Sequence, residues 1–428
     1  MLPDAIELHP LTLKSPTMVG IPGSKSITNR ALILAALSTE TTKIQGALWS
    51  EDTQVMIDCL KSLGFKISIE ADPLEPSNRT LTIQGEGGNI PRGGNPSSPL
   101  ELYVGNAGTA ARFLMAMLCL GEGVYRLSGV NRMHERPQAE LVQSLRELGY
   151  RIDTPNDRLP LVIHGQGPQP GNACKASVRE SSQFASALLL CASVGQWQVR
   201  MPQGALKEAP YVGMTQHMAR QFEGRTKGTY QVEPDSSSGS YFWAMDHLVH
   251  SVQAGQANHI QVASWPSSEW QIDTRFPKVL PLPSTLSRER DLGDSILTAM
   301  VVAPWAEQPV RFEDLGRLRV QECERVFAMK TELHKCGVKV EEEKDTLIIY
   351  PGPVRGAVID TYEDHRIAMC FSVLGTVVPG IIIRHPGCVK KTFPNFYQKL
   401  ASPPPYGLGM TLTLPGKTLS LSSETLIA

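Results

Sequence analysis

One pattern, met three times, limits what this chain can fold into more than any other: a helical stripe, then a glycine, then an alternating run. MIDCLKSLGFKISI, LVQSLRELGYRI and MKTELHKCGVKVEE all carry it. Met56, Cys59, Leu60 and Leu63 fall on one helix face, as do Leu141, Leu145 and Leu148, because 3.6 residues per turn bring such positions together. Gly64, Gly149 and Gly337 stand where each helix must end, and a residue without a Cβ enters the left-handed region there at little cost. Phe65, Ile67 and Ile69 then alternate with the period of a half-buried strand. A helix running into a strand three times over predicts repeated α/β units built on one plan. Two further stretches, QHMARQFEGRTKGTY and FPKVLPLPSTLS, read as shortened copies. The first turns polar and glycine-rich, and the second is interrupted by Pro277, Pro281 and Pro283. Residues 91–99 and 168–171 read as loops. The tail beyond Ser402 reads either as an edge strand at 410–414 or as a loosely attached end.

A chain of 428 residues exceeds one ordinary core, so two domains are expected. Hydrophobic content of 41% with 19% charged residues describes a globular protein rather than a disordered one. The net charge of −1 gives no support to a nucleic-acid or membrane partner, so an anionic ligand would have to be held by locally focused basic residues. The first residues, MLPDAIELHPLTLK, lack the apolar core of a secretory signal, and no apolar run has the length of a membrane span. The 8 cysteines are scattered without a C-x-x-C pair, so neither a disulfide framework nor a zinc site is indicated. A reducing cytoplasm is the expected location.

Basic and hydroxyl residues cluster just ahead of apolar helices. In IPGSKSITNRALILAAL, Gly23 and Ser24 lead into Lys25, Ser26 and Arg30 and then into a buried-looking helix. The free N–H groups and positive dipole of a helix N-terminus suit an anion. Lys25 adds a point charge, and Arg30 a fork for a carboxylate. The spacing is not that of a P-loop, which would place lysine directly after Gly23. A capped structural helix with solvated Lys25 and Arg30 would read the same way. VGNAGTAARFLMAMLCL sets Asn106, Gly108 and Thr109 before another apolar helix, with Arg112 in its first turn. GVNRMHERPQAEL supplies Arg132 and Arg136, with Pro137 placed to open a helix. SVRESSQFASALLL brings Ser181, Ser182 and Gln183 to a helix start, where one hydroxyl suffices as a cap.

The second half repeats the habit. RERDLGDSILTAMVVA presents Asp291 and Asp294. GRLRVQECERVFAM presents Arg319, Gln321, Glu322, Glu324 and Arg325. DTYEDHRIAMCFSVLG presents Asp364, His365 and Arg366, and GCVKKTFPNF presents Lys390 and Lys391. Charge runs are usually solvated faces. Four of them, each expected to begin an apolar helix, point instead to helix N-termini from both halves serving a highly anionic ligand.

Read in order, PGSKS-x-x-NRAL, GNAGTA-x-R, NRM-x-ERP, SSQF-x-SALLL, GD before an apolar helix, RV-x-E-x-x-R, DHR-x-AM and K-TFP form a series. It resembles that of the 5-enolpyruvylshikimate-3-phosphate synthases, an enolpyruvyl transferase family, over residues 21–397. The resemblance implies an α/β fold of two domains, each of three βαβαββ-like units around parallel buried helices, with the active site in the interdomain cleft. One domain is expected over 20–235 and the other over 236–428 together with 1–19. The implied reaction transfers the enolpyruvyl group of phosphoenolpyruvate to the 5-hydroxyl of shikimate 3-phosphate and releases phosphate. It needs proton relays and cations, with no metal and no redox cofactor. The chain is expected to act as a monomer on these two small molecules.

By motif match the resemblance implies catalytic roles for Lys25, Asp294, Glu322 and His365. It implies a phosphoenolpyruvate cradle of Lys25, Gly108, Arg132, Gln183, Arg325, Arg366 and Lys391. For the acceptor it implies Ser26, Arg30, Ser181, Ser182, Gln183, Tyr211, Asp294 and Gln321, with Arg30 on the carboxylate. The chain departs from the family's pattern at three places. Gln321 stands where lysine is usual, and Glu208 of E-A-P-Y where a serine is usual. Phe113 replaces a smaller residue. A carboxylate at 208 would repel a phosphate by about 1 kcal/mol at ~4 Å in water unless Lys207 compensates. Three rivals stay open at this point. One is a relative acting on an unphosphorylated acceptor, and another a non-catalytic binding protein of the same fold. The last is a UDP-N-acetylglucosamine enolpyruvyl transferase, whose acid is usually a loop cysteine, whereas Cys119 here reads as core.

Overall fold

A computed structural model of the chain describes residues 2–201, 210–223, 228–253 and 259–428. Lys207 and Glu208 lie outside the described residues. The chain forms two compact units. One is Gly23–Glu233, and the other joins Met1–Pro22 to Pro234–Ala428.

In the unit Gly23–Glu233, strands Leu100–Tyr103, Val124–Ser128, Leu161–His164 and Arg151–Asp153 lie side by side in that order. The first two are parallel and the other two junctions antiparallel. Parallel neighbours require a crossover, and helix Gly108–Leu118 provides it. Helix Ala139–Glu147 then leads to Arg151–Asp153, so residues 100–164 trace one βαβαββ unit. A second sheet, Gly228–Gln231, Thr41–Leu48, Asn78–Gln84 and Ile67–Ala71, repeats the same one parallel and two antiparallel junctions. A parallel pair, Ala173–Lys175 with Gln198–Arg200, accompanies them.

The other unit is built alike. Thr285–Ser287, Val310–Glu313, Thr346–Ile349 and Val340–Glu343 form one such sheet. Val358–Ile359, Ile381–Arg384, Ala5–Leu8 and Leu412–Thr413 form the second. Ile260–Val262 and Thr17–Val19 make a parallel pair, so the first 22 residues supply strands to two sheets of this unit. The tail does add an edge strand, shorter than expected, at Leu412–Thr413.

Three helices in each unit are buried nearly all round and pack on one another. In the first unit they are Lys25–Leu37, Gly108–Leu118 and Ser182–Gly195. In the second they are Ser236–Val252, Ile296–Val302 and His365–Leu374. Most of their residues are buried, so apolar side chains are spread around each helix rather than confined to one stripe. The amphipathic helices Glu51–Ser62, Ala139–Glu147 and Arg325–Lys335 each end at a glycine in the left-handed region. These are Gly64 at φ 94°, Gly149 at 98° and Gly337 at 84°.

The helical start read from 216 belongs to the helix Pro210–Glu223, which buries Val212, Met214, Thr215, Met218 and Phe222, and residues 224–227 of the polar run after it lie outside the described residues. Two expectations need correction. Pro137 does not open a helix. Arg132 sits in its own short helix, Asn131–Glu135, and the next helix begins at Ala139. Lys390 and Lys391 close a 3-10 segment, Pro386–Lys391, rather than beginning a helix, since Phe393 and Phe396 bury beyond them. Among the described residues no helix is long and apolar enough to cross a membrane.

Candidate active site

Each unit carries its own constellation at the starts of its buried helices. In Gly23–Glu233 the close approach of backbone to backbone decides the first residue. A Cβ on Gly23 would lie 1.9 Å from the Gly46 carbonyl oxygen, so only glycine fits. Its N–H donates to Asn78 Oδ1 at 2.8 Å, and Ser24 then caps helix Lys25–Leu37 by backbone geometry, without a side-chain cap bond. Lys25 Nζ pairs with Asp52 Oδ2 at 3.0 Å; the aspartate is 3% exposed and opens helix Glu51–Ser62. Ser26 offers its carbonyl to Arg30 Nη1 at 2.8 Å.

Arg30 is 2% exposed. Its Nε donates to Thr215 Oγ1 at 2.7 Å, and its Nη2 to Ser186 Oγ at 3.0 Å and to the Tyr211 carbonyl at 3.3 Å. The guanidinium lies 5.1 Å from the Phe113 ring centre and 5.9 Å from that of Tyr211. Burial among these neutral groups lowers its pKa to about 10. Phe113 thus roofs the arginine, which accounts for an aromatic at that position.

A second knot joins the other two buried helices of this unit. Arg112 Nη1 donates to Gln183 Oε1 at 2.7 Å, and Gln183 Nε2 to Thr109 Oγ1 at 3.1 Å. Arg136 Nη1 donates to the Asn106 carbonyl at 3.0 Å and to its Oδ1 at 3.2 Å. Gly108 lies between the two guanidiniums: a Cβ there would come within 2.7 Å of Arg136 Nη2 and 3.0 Å of Arg112 Nη1. Ser181 caps helix Ser182–Gly195 by accepting from the Gln183 N–H, with Ser182 buried beside it. Arg132 pairs with Glu135 at 2.7 Å on an exposed stretch, a bond of little net strength and easily exchanged for a ligand.

The constellation of the other unit is an alternation of carboxylates and guanidiniums. Asp294 Oδ1 accepts from Arg288 Nη2 at 2.8 Å, while Oδ2 faces Arg366 Nε at 3.3 Å and Arg325 Nη1 at 3.6 Å. Arg325 is 1% exposed and also donates from Nη2 to Glu322 Oε2 at 2.8 Å and from Nη1 to Gln321 Oε1. Arg325 Nε donates to Asp364 Oδ2 at 2.7 Å. Asp364 in turn caps helix His365–Leu374 by accepting from the Arg366 N–H, and Arg366 Nη1 donates to Ser237 Oγ at 2.6 Å. The chain enters that helix through two left-handed residues, Tyr362 at φ 53° and Glu363 at 55°, a strained approach costing about 1–3 kcal/mol each. Donation from the Tyr362 hydroxyl to Glu332 Oε1 at 2.7 Å helps hold it.

Burial would raise the Asp294 carboxyl, but Arg366, Arg288 and Arg325 outweigh it and hold it well below the usual range. Burial would likewise lower Arg325, and Asp364, Glu322 and Asp294 instead hold it well above its ordinary value. Asp273, behind Asp294, moves the other way: its burial raises the carboxyl. His365 is 1% exposed, its Nδ1 3.6 Å from Asp364 Oδ1. Lys391 is 5% exposed and closes the 3-10 segment packed on His365–Leu374.

Asp294, Gln321, Glu322, Arg325, Asp364 and Arg366 are therefore joined by hydrogen bonds and ion pairs in one cluster, with His365 beside it. Sequence reading missed Asp52, Ser186, Thr215 and Arg288. Arg288 lies within the charge run RERDLGD, and such runs are usually solvated faces. Asp246, His250 and His259 also gather in this unit, but the two imidazoles stack at 4.1 Å and 12°, so their in-plane lone pairs run alongside each other. That is a poor geometry for converging on one ion.

Comparison with known proteins follows the same lines. The family model described as EPSP synthase (3-phosphoshikimate 1-carboxyvinyltransferase) matches residues 16–264 and 283–400. A 3-phosphoshikimate 1-carboxyvinyltransferase of Nostoc punctiforme is 34% identical, covering 92% of this chain and 98% of the relative. One of Aeromonas salmonicida is 37% identical, covering 90% and 95%. Among solved structures, an EPSP synthase from Acinetobacter baumannii superposes with a TM-score of 0.72 at 21% identity, covering 96% of this chain and all of that one. The enolpyruvyl transferase NikO from Streptomyces tendae superposes with 0.68 at 14% identity, covering 96% and 98%. These two show the fold.

Proposed function

The chain belongs to the EPSP synthase family, and from that premise we propose that it transfers the enolpyruvyl group of phosphoenolpyruvate to the 5-hydroxyl of shikimate 3-phosphate. The observation that carries the reading is the ion-paired set Asp294–Arg325–Glu322. It sets two carboxylates around one buried guanidinium, which is what proton exchange beside an anionic reactant requires.

In the first step the acceptor hydroxyl oxygen bonds to carbon 2 of the enol, its proton leaves, and carbon 3 gains a proton. In the second the tetrahedral adduct loses phosphate from carbon 2 and a proton from carbon 3, restoring the double bond. Asp294 accepts the hydrogen bond of the attacking hydroxyl, and Glu322 exchanges the proton at carbon 3, with His365 nearby. Lys25 meets the departing phosphate and serves as acid. Gly108, Arg132, Gln183, Arg325, Arg366 and Lys391 hold phosphoenolpyruvate. Ser26, Arg30, Ser181, Ser182, Gln183, Tyr211 and Gln321 hold the acceptor. Guanidiniums already held by carboxylates need little rearrangement as charge develops, which favours the transition state over the ground state.

The test is phosphate release from phosphoenolpyruvate, measured with shikimate 3-phosphate and separately with unphosphorylated shikimate. Release that depends on the phosphorylated acceptor supports the reading. Release with the unphosphorylated one alone, or with neither, overturns it.

A further inference from the structure

We propose that Arg288 is a positioning residue for the transfer reaction, selecting which oxygen of Asp294 is presented to the acceptor hydroxyl. This rests on the reaction proposed above. Arg288 Nη2 takes Oδ1 at 2.8 Å. Among the described residues Oδ2 faces two guanidiniums, Arg366 and Arg325, without receiving a hydrogen bond from either. The carboxylate is thus pinned by one oxygen and held by charge alone at the other. That second oxygen is the one able to accept from a hydroxyl, and the side chain is 22% exposed, enough to be reached.

Arg288 is itself placed rigidly. It follows strand Thr285–Ser287, its own N–H donates to the Glu313 carbonyl at 3.1 Å, and the Ser287 N–H donates to Asp291 Oδ2 at 2.8 Å. The N–H groups of Asp291 and Leu292 both return to the Ser287 carbonyl. The side chain is 9% exposed, yet its buried Nε has no hydrogen-bond partner. A buried donor left unsatisfied costs stability, so this guanidinium is not optimised for packing; its gain comes through Asp294. Arg366 and Arg325 cannot replace it. Both approach Oδ2, and both are committed elsewhere, to Ser237 and to Asp364 and Glu322. Without Arg288 the carboxylate is free to turn toward those two cations and to bury both oxygens against them. The remaining charged neighbour, the buried Asp273, repels it and offers no substitute.

The experiment is a double-mutant cycle on turnover with phosphoenolpyruvate and shikimate 3-phosphate, using Arg288→Gln, Asp294→Asn and the pair, with Arg288→Lys beside them. Arg288→Gln is expected to lower kcat by about ten- to a hundredfold, the range of a misplaced reacting group, with KM for phosphoenolpyruvate unchanged. In the Asp294→Asn background the same change is expected to cost nothing further, because the carboxylate it orients is gone. Arg288→Lys keeps the charge without the fork and is expected to recover part of kcat. It carries the test alone if Arg288→Gln fails to fold, a wild-type kcat in Arg288→Lys then overturning the proposal. Losses that add in the cycle, or a fall in substrate affinity with kcat intact, overturn the role of Arg288. A wild-type protein that releases no phosphate overturns the reaction itself and is told apart by that control.

Discussion

Arg325 and Asp364 form a two-pronged pair, Nε to Oδ2 at 2.7 Å and Nη2 to Oδ1 at 3.2 Å, with side-chain exposures of 1% and 0%. A pair this dry gains little over an apolar pair of the same shape, but losing one partner leaves a buried charge with reduced compensation. Asp364→Ala is therefore expected to cost about 3–5 kcal/mol, part of it from the lost cap on helix His365–Leu374. Phosphate release should fall as Arg325 turns toward Asp294 and Glu322. Urea unfolding and steady-state kinetics on the variant check both parts; a stability change within 1 kcal/mol would contradict the first.

Lys25 depends on a residue that no motif marked. Asp52→Asn keeps the size of the side chain and removes the charge that Lys25 Nζ meets at 3.0 Å. The expected stability loss is modest, about 1–3 kcal/mol, because Lys25 is 16% exposed and water partly replaces its partner. KM for phosphoenolpyruvate should rise and kcat fall. Kinetics indistinguishable from wild type would mean that Asp52 does not place the lysine.

Gly108 separates two guanidiniums. Gly108→Ala puts a methyl group 2.7 Å from Arg136 Nη2 and 3.0 Å from Arg112 Nη1, so both must shift, and with Arg112 its partner Gln183. Alanine suits a helix better than glycine, so thermal stability should change little. KM for phosphoenolpyruvate is expected to rise about tenfold, ~1.4 kcal/mol, which steady-state kinetics would read directly.

Asp294 and Asp273 should respond to pH with opposite signs. The Asp294 carboxyl is held below its unfolded value, so its ionised form stabilises the protein at neutral pH, and that contribution is lost as pH falls below the unfolded value near ~4. The Asp273 carboxyl is raised, so the folded state binds its proton more tightly and pays a penalty once pH rises through the folded pKa. Asp294→Asn should lower Tm at pH 7, with the deficit shrinking in acid. Asp273→Asn should be neutral or stabilising at pH 7, with any advantage shrinking as pH falls. Melting curves between about pH 2 and 8 that reverse either trend would refute the assignment.

The sequence by itself determined the repeat and its punctuation. Period-3.6 stripes, terminal glycines and period-2 runs are local properties, and the helices ending at Gly64, Gly149 and Gly337 follow from them. The motif series likewise pointed to the family and put Lys25, Gly108, Asp294, Glu322 and Arg325 among the residues to watch. What the tertiary structure decided is which charges meet. Arg288 and Asp294 are six positions apart on a loop; Arg325 and Asp364 are brought together by helices packed side by side. Asp52 reaches Lys25 from a neighbouring helix, and Thr215 and Ser186 reach Arg30 across more than 150 residues of chain. Coulomb and hydrogen-bond energies depend on distances of a few ångströms, and such distances between remote residues exist only once the buried helices have packed.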